Sequence, residues 1–393
     1  RRTLNTIGNT SSITGFWMHM GQQTLSAKTR QQGHPPLLSP VAHRRGMQAP
    51  LYAAIDLGTH NCRLLIARAS SHGLRVIDSF SRAVRLGEGL HHSGRLADPA
   101  MERTMAALRA CVARMGLYDL HGHRAIATEA CRRAGNGLDF LSRVLHETGL
   151  DISIISAREE AELALAACTS LLQDSRGTTG RGLLFDIGGG STEIAWARID
   201  RHAGRHDLSG YVSLPVGIMT LGERDGADIF SDKGYSAVVA EISNVLRGFD
   251  DVHCIAREIV RQNVMLLGTS GTVTTLASLA LGQTRYDRTR IDGTTLPVPR
   301  ALGIIDSLRR AGMDALVANP LIGPERARYI MPGCAIFEAI VTTWPMAEVT
   351  VADRGLRDGL LLRMIGDRKR RGGLSAAPSS FPLYNRMEHR VSS

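Results

Sequence analysis

Two short segments of the sequence place an aspartate, a glycine turn and small polar side chains in the same order. The first, AAIDLGTHNCR, contains Asp56 and Gly58, and the second, LLFDIGGGSTE, contains Asp186 and Gly188. Glycine lets the backbone bend sharply and bring its N–H groups close to an anion, and hydroxyl groups add further donors. A carboxylate cannot bind phosphate directly, but it can hold a cation that neutralises phosphate charge. Each segment therefore predicts a phosphate loop with a metal-binding aspartate.

The two loops supply most of the predicted ligands. Those in the first are Gly58, Thr59, His60, Asn61 and Arg63. Those in the second are Gly188, Gly189, Gly190 and Ser191. Asp56 and Asp186 are the predicted ligands of Mg²⁺ or another divalent cation. One copy alone would suit an ordinary β-turn, whereas two copies in register favour a function and indicate an internal repeat.

The spacing of three further acidic residues, Glu159, Glu160 and Glu193, predicts a different role for each. Ser156 and Glu159 have the spacing of a capping box at a helix start, which gives Glu159 a structural role. Adjacent helical side chains diverge by ~100°, so Glu160 cannot serve the same cap, and its alternative is a solvated surface charge. Period-2 alternation places Glu193 on the same strand face as Ser191, toward a cleft, with a cross-strand ion pair as the alternative.

A third candidate anion site follows an apolar run. The run Val264–Leu267 leads into the sequence GTSGT, and a helix is expected over Val273–Ala280. The amides at a helix N-terminus favour an anion, so Ser270, Gly271 and Thr272 are predicted phosphate ligands. An ordinary N-cap is the alternative.

The elements that position these residues follow from hydrophobic periodicity. Hairpins are expected at Leu51–Asp56 with Asn61–Ala69 and at Gly182–Ile187 with Ser191–Ile199. Strands at Arg124–Ala127 and Ile152–Ile155 alternate with helices at Pro99–Met115, Gly137–Thr148 and Ala157–Leu172. Hairpins followed by alternating strands and helices predict an α/β fold.

The domain prediction divides the chain at Gln173–Gly182, a Gly/Ser/Thr-rich linker. Residues 50–178 and 179–366 form two similar halves, with the last helix packing back on the first half. Residues 1–49 and 367–393 are expected to be disordered basic extensions, and Met47 is a candidate translation start.

Composition limits the class of protein. Of the 393 residues, 43% are hydrophobic and 21% charged, enough apolar surface for two cores. With no apolar run of the ~20 residues that a membrane span needs and no signal peptide, a cytoplasmic protein is expected. The six cysteines lack zinc spacing and are interpreted as buried thiols. The net charge of +10 belongs to the extensions, because residues 51–366 contain equal numbers of acidic and basic side chains. Specific nucleic-acid binding is therefore not expected.

Several motifs occur in the order of one family. Besides DIGGGSTE, they are RLGEGL at Arg85–Leu90, the segment Ala127–Ala134, IISAREEAEL at Ile154–Leu163, GTSGTVTTL at Gly268–Leu276 and LRDGLL at Leu356–Leu361. The sequence resembles the exopolyphosphatase/guanosine pentaphosphate phosphatase (Ppx/GppA) family over 51–366. The resemblance implies two ribonuclease-H-like half-domains of the actin/sugar-kinase/heat-shock-protein superfold with a cleft between them.

The same resemblance implies residue roles. Glu160 corresponds to the family's catalytic base, Glu193 to a second catalytic or metal-assisting carboxylate, and Arg132 to a phosphate-binding arginine. The family's first loop usually reads Ser-Asn-Ser, so Thr59, His60 and Asn61 here put its exact contacts in doubt. The chain resembles the short, two-domain form.

The resulting expectation is metal-assisted hydrolysis of a terminal phosphoanhydride. Polyphosphate is the favoured substrate and guanosine pentaphosphate the runner-up. An ATP-dependent kinase of the same superfold and a non-catalytic polyanion-binding protein remain alternatives of other classes. The expected partners are the substrate and a second copy of the chain, with no membrane.

Overall fold

A computed structural model describes residues 49–70, 73–174, 180–200, 205–226 and 228–370. The first half contains strands β1 (Leu51–Leu57), β2 (Asn61–Ser70), β3 (Gly73–Ala83), β4 (Leu120–Ala127) and β5 (Ile152–Ile154). Its helices are α1 (Leu90–Ser93), α2 (Asp98–Met115), α3 (Glu129–Arg133), α4 (Gly137–Thr148) and α5 (Ala157–Asp174).

The second half contains strands β6 (Arg181–Ile187), β7 (Thr192–Asp200), β8 (Arg205–Leu214), β9 (Val264–Thr269), β10 (Thr295–Pro297) and β11 (Glu348–Ala352). Its helices are α6 (Ile218–Arg224), α7 (Asp232–His253), α8 (Ile255–Val260), α9 (Gly271–Ala280), α10 (Arg288–Ile291), α11 (Val298–Ala318), α12 (Gly323–Thr343) and α13 (Leu356–Arg370), with a 3₁₀ turn at Asp228–Phe230.

The two sheets repeat one topology. The first has the strand order β3-β2-β1-β4-β5, and the second β10-β11-β9-β6-β7-β8. In each, a central strand pairs antiparallel with the strand that follows it and parallel with a strand that comes later in the chain. β1 therefore corresponds to β6, β2 to β7, β4 to β9 and β5 to β11. The predicted repeat is thus a repeat of whole sheets, and the predicted α/β class is confirmed.

The central strands are apolar because both of their faces are covered. Every residue of β1 after Leu51 is buried, as expected of a strand with helices on both sides. One side of the first sheet packs on α2 and α4 through Leu108 and Val144. The large core of the second half gathers around Phe185 and Phe337.

The helices α5 and α13 pack on the halves opposite to their own. Leu165 of α5 packs against Leu184 and Ala195 of the second sheet, while Leu360 and Leu361 of α13 pack on the first sheet. The helices cross at Gly359, where a Cβ atom would overlap the carbonyl oxygen of Leu163. This close crossing joins the two halves and fixes the start of α5, which carries Glu160.

Several boundaries differ from the sequence-based expectation. The short helix α1 was not among the predicted elements. Helix α13 continues to Arg370, into the segment expected as a disordered tail. The expected linker is partly helical, since α5 runs to Asp174. β6 begins inside the expected linker, at Arg181, and residues 1–48, 175–179 and 371–393 lie outside the described residues.

Two further observations concern composition. Among the described residues no helix is long and apolar enough to cross a membrane. Five of the six cysteines are buried, but Cys254 is exposed, so its interpretation as a buried thiol is wrong. The reason is local: Cys254 ends α7 in a left-handed conformation with φ 52°, at the surface, where a turn replaces core packing.

Candidate active site

The two predicted loops form matching turns at the ends of β1 and β6. In the first, the Gly58 N–H donates to the Asn61 carbonyl oxygen at 2.9 Å. In the second, the Gly188 N–H donates to the Ser191 carbonyl oxygen at the same distance. The strand register also repeats, since Asp56 lies opposite Arg63 and Asp186 opposite Glu193.

The loops touch each other across the cleft. A Cβ atom on Gly189 would lie 2.9 Å from the His60 backbone nitrogen, and one on Gly190 would lie 2.6 Å from Thr59 Oγ1. Only glycine permits this approach. The structure therefore brings the two predicted phosphate loops, which are 130 residues apart in the sequence, into direct contact.

Backbone bonds hold each loop from behind. The His60 carbonyl oxygen accepts from the Val84 and Arg85 N–H groups at 2.9 Å. The Gly188 and Gly189 carbonyl oxygens accept from Ile218 and Met219 at 3.0 and 2.8 Å. With these carbonyl oxygens bonded to neighbouring backbone, the loops are braced in a fixed conformation.

Glu160 lies at the buried start of α5 and is only 5% exposed. Its Oε2 accepts a hydrogen bond from Arg132 Nη1 at 2.6 Å. Burial and the neighbouring charge of Glu193 raise its pKa to about 9. A buried carboxyl group with a raised pKa in a cleft has the character of a general base or acid. The alternative of a solvated surface charge is wrong for Glu160.

Glu159 has a different role from the one its spacing predicts. Its backbone N–H donates to Ser156 Oγ at 3.2 Å, which is half of a capping box. Its carboxylate pairs with Arg124 Nη2 at 2.9 Å. The ion pair takes the side chain away from the cap. Glu159 therefore has a structural role, which is to pair with Arg124 of β4 and not to close the capping box.

Glu193 is 7% exposed and faces the same side as Ser191. Its Oε1 accepts hydrogen bonds from Ser191 Oγ at 2.6 Å and Ser213 Oγ at 2.9 Å. Burial raises its pKa to about 7, with the Ser191 hydrogen bond opposing and the charge of Asp186 adding to the rise. Hydroxyl donors therefore take the place of the cross-strand ion pair considered from the sequence.

The two loop aspartates are close enough to influence one another. Burial raises the pKa of Asp186 to about 6, with Arg63 opposing and Asp56 adding to the rise. Burial also raises the pKa of Asp56, whose Oδ1 is buried without a hydrogen-bond partner. Among the described residues no group of three or more His, Cys, Asp or Glu side chains gathers into a metal site. Two carboxylates, one of which has an unpartnered oxygen, suit Mg²⁺, which keeps waters and phosphate oxygens as its remaining ligands.

His60 is nearly buried and packs edge-on against Tyr329, with ring centroids 5.0 Å apart. Burial and the charges of Arg63 and Arg85 lower its pKa to about 4. The imidazole is therefore neutral at physiological pH, and the substitution in this loop adds no charge there.

A cluster of arginines surrounds the first loop, and only Arg63 among them was predicted. Partial desolvation, followed by the charge of Arg63, lowers the pKa of Arg326, which is exposed, and of Arg357, which is half-buried. Arg326 Nη1 donates to Thr275 Oγ1 at 3.3 Å, and Arg357 Nη1 to the Leu64 carbonyl oxygen at 3.0 Å. Mutually repelling cations at a glycine loop create a region of positive potential suited to a polyanion. Arg326 carried no sequence signal, since it lies on α12 far from every loop motif.

The third predicted loop is capped as an ordinary helix. Ser270 Oγ accepts from the Val273 N–H at 3.4 Å, and the Ser270 backbone has φ 128°, a strained value for a residue other than glycine. Thr272 is buried, with its hydroxyl against Gly333 of α12. The N-cap is present, and the phosphate-binding roles of Ser270, Gly271 and Thr272 stay predictions.

Arg132 lies between two carboxylates. Besides Glu160, it pairs through Nη2 with Glu129 Oε2 at 2.6 Å. Glu129 is buried and was not predicted as a site residue. Its segment matched a motif, but nothing in the sequence showed which partner the side chain would meet. The phosphate-binding role of Arg132 stays a prediction.

Comparison with known proteins identifies this arrangement. The sequence model of the Ppx/GppA phosphatase family matches residues 65–368. The chain belongs to the Ppx/GppA phosphatase family. The resemblance stated from the motifs is thereby confirmed, and with it the two-halved α/β fold.

Relatives within the Ppx/GppA family cover most of the chain. A guanosine-5'-triphosphate,3'-diphosphate pyrophosphatase from Aeromonas salmonicida is 31% identical over 326 residues, which are 81% of this chain and 60% of that protein. The chain thus spans about 60% of the length of this relative. A crystal structure of the Ppx/GppA family member of Aquifex aeolicus matches with a TM-score of 0.64 and 25% identity, covering 81% of this chain and 98% of that one. An exopolyphosphatase from Cytophaga hutchinsonii shares the fold, with a TM-score of 0.68, 20% identity and coverage of 81% and 98%.

Proposed function

We propose that this phosphatase hydrolyses the terminal phosphoanhydride of a phosphate chain, with Glu160 as the general base. The observation that carries the proposal is the position of Glu160, which is buried, bonded to Arg132 and electrostatically coupled to Glu193 and Asp56 beside the two touching loops. A phosphate chain held by these loops would place its terminal phosphorus near a carboxyl group able to accept a proton from water.

The chain's own residues would divide the work as follows. Backbone N–H groups of the glycine turns and the hydroxyl of Thr59 bind phosphate oxygens, while the single hydroxyl proton of Ser191 goes to Glu193. Arg63 and Arg326 add positive charge that offsets the charge of the chain. Glu160 orients a water molecule, accepts its proton as the oxygen attacks phosphorus, and the bond to the leaving phosphate breaks. Glu193, fixed by two serine hydroxyls, keeps negative charge near Glu160 and sustains its raised pKa.

We further propose that Asp56 and Asp186 would hold Mg²⁺. When bound, the cation supplies charge neutralisation at the phosphate oxygens. The unpartnered oxygen of Asp56 and the raised pKa of both carboxyl groups support this proposal, because a cation would satisfy the oxygen and offset the burial of charge.

Two substrates fit this chemistry. The similarity to the Aeromonas salmonicida guanosine-5'-triphosphate,3'-diphosphate pyrophosphatase supports guanosine pentaphosphate, and inorganic polyphosphate offers the same terminal bond. A cytoplasmic location and a homodimer stay predictions alongside this proposal.

The deciding experiment measures phosphate release from guanosine pentaphosphate and from polyphosphate in parallel, each with Mg²⁺ and with excess chelator. Metal-dependent release from at least one substrate is the expected result. Release from neither, together with transfer of phosphate from ATP to an acceptor, would replace the hydrolase proposal with a kinase.

The metal proposal has a separate test at the two aspartates. Asp186→Asn and Asp56→Asn keep shape and remove the charge that a hard cation needs. Both variants should require more Mg²⁺ for half-maximal rate, and Asp186→Asn should show the larger effect, because the second loop matches the family motif more closely. A Mg²⁺ titration identical to wild type in the Asp186 variant would contradict a metal role.

A further inference from the structure

Glu129 is a buried carboxylate that the proposed mechanism does not use. It is the first residue of α3 and is 8% exposed. Its Oε2 accepts from Arg132 Nη2 at 2.6 Å and from Arg132 Nε at 3.2 Å, and Arg133 Nε lies 3.8 Å from Oε1. Glu129 thus holds one edge of the Arg132 guanidinium with two hydrogen bonds.

The other side of the same guanidinium meets the proposed base. Arg132 Nη1 donates to Glu160 Oε2 at 2.6 Å and to the Ile155 carbonyl oxygen at 2.8 Å. Three acceptors from different elements therefore fix a single planar group. Because the bonds to Glu129 and to Glu160 use different nitrogens, one can break while the other remains.

Glu129 also touches the place where the two loops meet. A Cβ atom on Gly190 would lie 3.2 Å from Glu129 Cγ and 2.6 Å from Thr59 Oγ1. The side chain therefore lies against the second loop, with the first loop beside it, and carries Arg132 at the same point. A phosphate bound by both loops would lie next to the guanidinium.

We propose that Glu129 is a positioning residue that holds Arg132 at the junction of the two loops, so that a phosphate oxygen replaces Glu160 on Nη1. Glu129 keeps the opposite edge during this exchange, and Glu160 is released to accept a proton from water. Without Glu129, the long arginine side chain would have to be ordered by the substrate itself, which weakens binding. This inference rests on the proposed function.

Two simpler roles for Glu129 predict different results. If the i,i+3 pair of Glu129 and Arg132 only stabilises α3, loss of the pair would change the free energy of unfolding and leave KM unchanged. A carboxylate that acts only by its charge repels phosphate, so neutralising it would lower KM. Positioning predicts the opposite sign, a rise in KM on loss of the contact.

The experiment compares Glu129→Asp with Glu129→Gln. The aspartate keeps the charge and withdraws the carboxylate by one methylene, whereas the glutamine keeps the length and one acceptor for Arg132. Glu129→Asp should raise KM by on the order of 10-fold, as expected for a lost charged hydrogen bond of ~1.5 kcal/mol, with a smaller change in kcat. Glu129→Gln should fall between this variant and wild type. An unchanged or lowered KM in Glu129→Asp would overturn the proposal.

A double-mutant cycle tests whether the effect passes through Arg132. In the background Arg132→Ala, adding Glu129→Asp should cause no further rise in KM, because the group that it positions is gone. Full additivity would overturn the proposal. Glu147→Asp is the matched control, since Glu147 pairs with Arg143 and Arg109 outside the site and its change should leave KM at the wild-type value.

A binding measurement separates this proposal from the proposed hydrolase activity. Inorganic phosphate is titrated calorimetrically into the wild type and the Glu129 variants, with unfolding midpoints recorded for each. Glu129→Asp should bind phosphate about 10-fold more weakly while keeping its fold. Equal phosphate affinity in a folded variant overturns the positioning role, whatever the turnover. Absence of turnover in the wild type, with phosphate affinity still dependent on Glu129, would reject only the proposed reaction.

Discussion

At the scale of single residues, the site concentrates carboxyl groups whose burial disfavours their charged form. Glu160 and Glu193 are both nearly buried, and burial raises the pKa of each. The negative charge of Glu193 adds to the rise at Glu160, and that of Asp186 adds to the rise at Glu193. With a pKa of about 9, the proton-accepting form of Glu160 increases as pH rises above neutrality, which favours a general base at alkaline pH. The same burial of charge lowers the stability of the folded protein. Replacing these residues should therefore reduce activity without reducing stability.

The replacement Glu160→Gln tests the proposed base. Gln is isosteric and a good helix former, so α5 and substrate affinity should be retained. Turnover should fall by on the order of 10² to 10⁴, the usual contribution of a positioned general base. Measurement of kcat, KM and the thermal midpoint of the variant checks this expectation.

Glu159→Gln is the control, because it is the adjacent acid on the same helix. Its change removes the partly exposed ion pair with Arg124, which contributes ~0.2–1 kcal/mol. The rate should stay close to wild type. If Glu159→Gln loses turnover and Glu160→Gln does not, the roles of the two acids are reversed.

The replacement Glu193→Gln should make the protein more stable at alkaline pH. The folded-state pKa of Glu193 is about 7, above its ordinary value of 4.5, so the native state binds the proton more tightly than the unfolded chain does. Its contribution to stability is complete below pH 4.5 and is lost as pH rises through 7. At pH 8 and without metal, the variant should gain on the order of 1–3 kcal/mol, since Gln still accepts the serine hydrogen bonds.

Chemical denaturation of Glu193→Gln and wild type at pH 4.5 and pH 8 measures this difference. The gain should be present at pH 8 and absent at pH 4.5. A gain of equal size at both values would mean that ionisation of Glu193 is not its cause.

At the scale of elements, two hairpins act together because their turns lack side chains where they meet. The approach of the second turn to Thr59 and His60 leaves no room for a Cβ atom at Gly189 or Gly190. The α3 helix completes this junction through Glu129. The phosphate site is therefore a property of three elements in contact, and one added methyl group should disturb it.

The replacement Gly190→Ala tests the junction. The new Cβ would lie 2.6 Å from Thr59 Oγ1, and relief requires movement of one loop. We expect a loss of ~1–3 kcal/mol of stability and a larger relative loss of kcat/KM, because the displaced loop binds substrate. Denaturant unfolding and phosphate-release kinetics measure the two effects.

Gly248→Ala provides the matched control within α7. A Cβ there meets no atom within 4 Å, and Ala is favoured over Gly in a helix by up to ~1 kcal/mol. This variant should be slightly more stable and fully active. Similar losses at both positions would point to a general intolerance of Gly→Ala changes rather than to the junction.

At the scale of the whole molecule, α5 and α13 each bury their apolar face against the half to which they do not belong. Leu360 and Leu361 have no exposed surface and pack against the first sheet. Helix α13, the last helix among the described residues, is therefore part of the core that holds β1 and its loop. The two halves should unfold together, because each one lacks a helix when separated.

A chain of residues 49–370 should retain full phosphate-release activity, since it contains every matched motif and α13. A chain ending at residue 355 should not fold, because it exposes the surface that α13 covers. Leu361→Ala should cost ~2–5 kcal/mol, whereas Leu145→Ala, at a position 49% exposed, should change stability little. Limited proteolysis and denaturant unfolding check these outcomes. Activity in the chain ending at 355 would contradict the role of α13.

The sequence by itself determined the α/β class, the repeated hairpins and the family. These inferences rest on local information. Apolar alternation sets strands, glycine turns set loops, and a repeat in the sequence implies a repeat in the backbone. The helices over 137–148 and 157–174 were predicted nearly to the residue because their apolar faces are periodic.

Only the tertiary structure decided which side chains meet. The burial of Glu129 against Gly190 and the approach of Arg326 to Arg63 depend on packing between distant segments of the chain. The side chain of Glu159 fits a cap by its spacing, but Arg124 on a neighbouring strand offers a charged partner instead. Electrostatic partners are chosen by distance in space, and the sequence records only distance along the chain.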